Sequence, residues 1–211
     1  GAVAAEMKRR GAPVALFLNG ACGNISAGNP YRGAPAPTME QMGQALADHA
    51  MRLLGGVAWQ SEARLWARAK TIELPYRGLT PDQTAGTAKG AQRFVDPAIY
   101  DRNMPALVER VKTRGAQPAE VQVLGLDDVC YAAIPAEYFV EHGLRIKLET
   151  WPKHALIVGH ANGMVGYVPT RAAFERGGYE TTFNATSRMA PEAGDLLADA
   201  AIELIRSEGG R

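Results

Sequence analysis

Apolar positions follow two periods along the chain, and their alternation predicts an α/β fold. The opening AVAAEMKRR reads as the middle of an amphipathic helix with no cap before it, which leads us to expect a further segment upstream. Residues 13–18, PVALFL, are a short apolar run between Gly11 and Gly20, the pattern of a buried strand. The stretch 19–37, NGACGNISAGNPYRGAPAP, is too rich in Gly, Pro and Asn for regular structure. It predicts a long loop leaving the C-terminal end of that strand, where open α/β sheets commonly place ligands. Thr38 and Gln41 form a capping box, and Met39, Met42, Leu46, Ala50, Leu53 and Leu54 follow at helical spacing, with the methionine stripe expected in the core.

Residues 63–74 predict a strand whose Arg64, Arg68 and Lys70 lie on a solvated face. Thr80-Pro81-Asp82 opens a polar helical region that runs, with interruptions at Pro97 and Pro105, to about Gly115. Residues 121–126 and 129–134 flank Asp127-Asp128 as a hairpin. A helix with Val140, Leu144 and Leu148 at fourfold spacing follows Pro135-Ala136-Glu137, and 154–159 is another buried strand. Residues 172–176 form a short helix, and the last helix carries Leu196, Leu197, Ala200, Ala201, Leu204 and Ile205 on one stripe. The fold class is therefore α/β, a mixed β-sheet flanked by helices.

Composition narrows the function. With 46% hydrophobic residues among 211, the chain can bury a sizeable core. Its 23 Lys plus Arg balance 22 Asp plus Glu, and a net charge of +1 gives no large electrostatic footprint for a nucleic acid or an anionic membrane. Cys22 and Cys130 show neither metal-finger nor redox spacing. The longest apolar runs, VALFL and ALIV, are far too short for a membrane helix.

Three places put polar groups at predicted strand ends: residues 19–29, Glu137, and residues 160–180. Glycine-rich turns would let them converge on one site. Each alone has an ordinary explanation. Glu137 suits a helix start, His160 a core or supporting position, and Tyr167 and Tyr179 simple packing with the hydroxyl at the surface. CGNIS lacks the spacing and lysine of a phosphate loop, and Ser26 lacks a nucleophile-elbow context.

Three stretches, LFLNGACGNISAGNP, IPAEYFVEHG and ANGMVGYVPTRAAFERGGYE, in this order, resemble the catalytic domain of the neutral ceramidase family and its smaller bacterial relatives. The resemblance implies a zinc amidase that cleaves the N-acyl bond of ceramide or a related lipid or small-molecule amide. It implies Glu137 and Tyr167 as metal ligands and Tyr179 as donor to the developing oxyanion, with Asn162 and Gly163 contacting substrate. Asn24, Ala27 and Ala136 depart from the family pattern, which has Asp, Pro and Gly there, and they set the chain apart from the true ceramidases. The family's two zinc-binding histidines lie in its N-terminal half, and none of His49, His142, His154 or His160 matches them. Residues 1–211 are thus expected to be the C-terminal portion of a larger catalytic domain, completed by a missing N-terminal half that supplies two His ligands. Ceramidases are commonly secreted or membrane-associated, so the resemblance implies a secreted or periplasmic location. The alternative is a non-catalytic α/β binding module that keeps the fold without a complete metal site.

Overall fold

The computed structural model describes residues 1–28, 33, 35–93 and 96–209. The chain forms two compact units, one of Gly1–Leu18 with Ser26–Ala63, the other of Asn19–Ile25 with Arg64–Arg211.

The smaller unit contains helices α1 (Ala2–Arg9) and α2 (Met39–Leu54). The capping box is present: Thr38 accepts from the Gln41 N–H while the Gln41 side chain accepts from the Thr38 N–H. The expected core stripe is not buried. Met39 is 66% and Leu53 62% exposed, and the buried residues of α2 are Gly43 and Ala47. Small residues admit the closest approach, and a Cβ on Gly43 would lie 2.9 Å from the Ala2 carbonyl carbon of α1. Residues 13–18 form no strand either. Leu16 and Phe17 are 89% and 67% exposed, because the run pairs with no other strand among the described residues.

The larger unit is built on β1 (Leu65–Pro75), β2 (Ala116–Leu126), β3 (Val129–Ile134) and β5 (His154–Gly159), with α3 (Pro81–Ala85) and α4 (Pro97–Arg114) between β1 and β2. Their order is β1-β2-β3-β5, with β1, β2 and β3 antiparallel and β5 parallel to β3, so the sheet is mixed. Pro105 sits inside α4 rather than interrupting it. The two-residue turn between β2 and β3 places Asp127 at φ +52, a conformation Asp tolerates well. A second, two-stranded sheet pairs β4 (Glu137–Tyr138) with β6 (Tyr167–Val168) in parallel. Helices α5 (Val140–Glu149), α6 (Arg171–Arg176) and α7 (Ala193–Arg206) complete the unit.

The strand register assigns the faces of the main sheet. Directly opposed residues share a face, so Val123, Ala132 and Ile157 stand together, with Val121, Cys130 and Ala155 on the same side. All six are buried and cluster with Leu197, Ala201 and Leu204 of α7 and Ile146 of α5. Residues of the opposite face are exposed among the described residues. Leu65, Leu124, Leu126 and Leu156 on it are 77%, 47%, 38% and 42% exposed.

The apolar stripe expected on α5 faces outward too, with Leu144 51% and Leu148 77% exposed. The helix instead buries His142, Gly143 and Ile146. Gly143 lets the backbone approach β5, where a Cβ would meet Ile157 Cγ1 at 3.2 Å. His142 is tolerated inside because its ring stacks on Tyr138, with centroids 5.0 Å apart, and its Nε2 faces the Pro169 carbonyl at 3.3 Å.

Candidate functional site

The parallel strands β3 and β5 end side by side at Ile134 and Gly159, and the segments that leave them carry the polar groups. From β3 the chain enters β4, from β5 it turns into β6, and these pair so that Glu137 stands opposite Tyr167. Backbone bonds fix the pairing, Val165 N–H to Pro135 O at 2.7 Å, Glu137 N–H to Gly166 O at 3.0 Å and Phe139 N–H to Val168 O at 3.3 Å, while Tyr167 N–H bonds Thr186 O at 2.7 Å. The turn before Tyr167 requires glycine. Gly166 has φ +90, and a Cβ would overlap the Thr186 carbonyl.

The third residue comes from the loop after α6. Thr170 ends the Tyr-x-x-Thr element and caps α6, accepting from the Ala173 N–H at 3.2 Å. Past that helix, the Tyr179 ring meets Tyr167 edge to face with centroids 5.6 Å apart. The Tyr167 phenol is held well above its ordinary pKa, first by burial and then by hydrogen bonds to Glu137 and Tyr179. Burial also raises Tyr179. The Glu137 Oε2 is buried and has no hydrogen-bond partner among the described residues. Glu137, Tyr167 and Tyr179 are therefore brought together. Asn162 and Gly163 lie in the turn after β5, both with positive φ; the Asn162 amide is 3.5 Å from Gln122 Oε1, and Gly163 lies beside Pro135.

Two supports were not visible in the sequence. Arg77, just beyond β1, is only 6% exposed and donates to Thr181 O at 2.6 Å and Ser187 Oγ at 3.1 Å. Its guanidinium lies 4.6 Å from the Phe174 ring centroid, and burial pushes its pKa down to about 10. It pins the segment that presents Tyr179 and Glu180, since Ser187 Oγ in turn donates to Glu180 O at 2.5 Å. Asn24 caps α5 from far upstream, accepting from Val140 N–H at 2.9 Å and donating to Glu141 Oε2 at 2.8 Å. Beside it Gly23 N–H bonds Tyr138 O at 2.8 Å, and a Cβ on Gly23 would come within 2.8 Å of the Glu137 carbonyl carbon. The CGN element thus clamps β4 against the rim.

A buried orphan carboxyl oxygen beside a phenol suits a hard divalent cation. These two oxygens make an incomplete set: among the described residues no three His, Cys, Asp or Glu side chains gather so as to hold a metal ion. No described helix is long and apolar enough to cross a membrane.

The larger unit's mixed sheet, with helices against it, defines a ceramidase-like α/β fold. The similarity is to the neutral ceramidase of Pseudomonas aeruginosa, at TM-score 0.56 and 15% identity over 85% of this chain and 35% of that one. A ceramidase complexed with C2 is similar at TM-score 0.52 and 13% identity, over 80% of this chain and 34% of that one. The chain spans about a third of the length of these neighbours, and at such identities the likeness is one of fold. No family model and no curated protein matches the sequence.

Proposed function

We propose that the chain is the C-terminal portion of a zinc-dependent amidohydrolase of the neutral ceramidase type, cleaving the N-acyl amide bond of a lipid or small molecule. The observation that carries this reading is the register pair Glu137–Tyr167, in which a buried carboxyl oxygen lacks a partner next to a phenol. An unsatisfied buried polar group costs about 1–3 kcal/mol, and such a cost persists where function needs the group free. In this reading Glu137 and Tyr167 would hold zinc, which when bound would supply activation of a water for attack on the amide carbonyl. Tyr179 donates a hydrogen bond to the carbonyl oxygen as it gains negative charge, and Arg77 keeps Tyr179 in position. Asn162 and Gly163 contact substrate. The two histidine ligands come from a missing N-terminal half, and the open face of the main sheet is where that half would pack, sheet on sheet.

The second reading, a non-catalytic binding module, is favoured by the incomplete ligand set among the described residues. Two variants of the complete protein separate the readings. Tyr167→Phe should lower zinc content, whereas Tyr179→Phe should keep zinc and slow N-acyl amide hydrolysis ~100- to 1,000-fold. Unchanged zinc stoichiometry and unchanged rates in both variants would remove the assignments. One zinc held tightly by the 211-residue chain alone would remove the need for a missing half.

A further inference from the structure

The rim carries a second group of reactive side chains that the metal reading does not use. Cys22 Sγ lies 3.5 Å from His160 Nε2 and accepts from Asn19 Nδ2 at 3.1 Å. Cys22 is half-buried, while Asn19 and His160 are exposed, so the sulfur stands at an opening. The backbone holds this arrangement under strain. His160 has φ +58, a left-handed conformation that costs a residue with a Cβ about 1–2 kcal/mol, and its N–H is tied to Ala136 O at 3.3 Å. Gly159 N–H bonds Asn19 O at 2.9 Å, which fixes the cysteine loop against the strand that delivers the histidine. The other thiol, Cys130, has no exposed surface and sits in the core.

The geometry points to Cys22 as a nucleophilic thiol, with His160 as its proton acceptor and Asn19 as a donor to the sulfur, that adds to small α,β-unsaturated carbonyl compounds. Conjugate addition suits the site better than acyl transfer. The backbone N–H groups of Gly23, Ile25, Gly159 and His160 are already bonded to carbonyls, so none of these four is free to hold an oxyanion, which conjugate addition at the β-carbon does not require. In the addition, His160 Nε2 takes the thiol proton and the sulfur lone pair forms the S–C bond at the β-carbon. The C=C π pair moves toward the carbonyl oxygen as the enolate, and the imidazolium returns the proton to the α-carbon. The product is a saturated thioether, and no co-reactant is consumed.

The test uses N-ethylmaleimide on the full chain, with mass-spectrometric mapping of the labelled cysteine over time. Cys22 should react at least ~10-fold faster than the same cysteine in an unstructured GACGN peptide, and His160→Asn should remove most of that gain. Cys130 should stay unlabelled in both proteins, which reports an intact fold. A Cys22 rate no greater than the peptide's, or one unchanged by His160→Asn with Cys130 still protected, overturns the proposal. If His160→Asn exposes Cys130, Asn19→Ala replaces it as the variant, with slower Cys22 labelling expected and an unchanged rate counting against the site.

Discussion

Replacing Gly166 with alanine tests how one turn holds the Glu137–Tyr167 pair. At φ +90 an L-residue is strained, and a Cβ would come within 2.7 Å of the Thr186 carbonyl carbon. That carbonyl accepts the Tyr167 N–H at 2.7 Å, while the Gly166 carbonyl accepts the Glu137 N–H at 3.0 Å. The backbone strain is about 1–2 kcal/mol, and weakening one of these bonds adds about 0.5–1.5 kcal/mol, so a loss of roughly 2–3 kcal/mol is expected. Urea denaturation followed by tryptophan fluorescence measures it. Gly78→Ala is the control, because a Cβ there meets nothing within 4 Å; its effect should stay within about 0.5 kcal/mol. Equal losses in the two variants would refute the claim that the Thr186 contact sets the position of Tyr167.

Burial holds His142 below its ordinary pKa, so the unfolded chain binds the proton more readily. Stability should therefore be full above about pH 6.5 and fall as the pH drops from there through the depressed native value; denaturation midpoints against pH should show this slope, and His142→Asn should flatten it. Arg77→Lys keeps the charge but loses the fork that reaches both Thr181 O and Ser187 Oγ, and a loss of about 2 kcal/mol is expected by denaturation. A change below about 0.5 kcal/mol would mean that the guanidinium does not hold this segment. Leu124→Glu on the open sheet face should leave stability nearly unchanged while reducing binding of an apolar dye, and a large stability loss would mean that the face is already covered.

Local chemistry was the legible part of the sequence. The capping box at Thr38 and Gln41, the turn at Asp127-Asp128 and the stripe of α7 each depend on neighbours in the chain, and each formed as expected except that Leu196 of the stripe is 37% exposed. Which face of a helix is buried depends on what lies opposite it. The stripes of α2 and α5 point outward because Gly43, Ala47 and Gly143 allow closer approach than leucine or methionine. Arg77 was illegible for a related reason: a charge beyond a strand reads as surface until Phe174 and Thr181, far along the chain, are seen to enclose it. For the site, spacing alone left Glu137 and Tyr167 with ordinary explanations. Their proximity comes from the pairing of β4 with β6, which no local pattern encodes.

That pairing also sets where the chain can accept added length. With only two residues in each strand, Glu137 and Tyr167 are keyed to each other by backbone bonds, whatever the size of the excursion between them. A residue inserted in the exposed turn around Trp151 would leave the two oxygens aligned. One added beside Ala136 or Gly166 would send one of the side chains to the opposite side, because strand positions alternate. Length variation among natural or engineered versions of this chain should therefore collect in the excursion and avoid the few residues flanking the key.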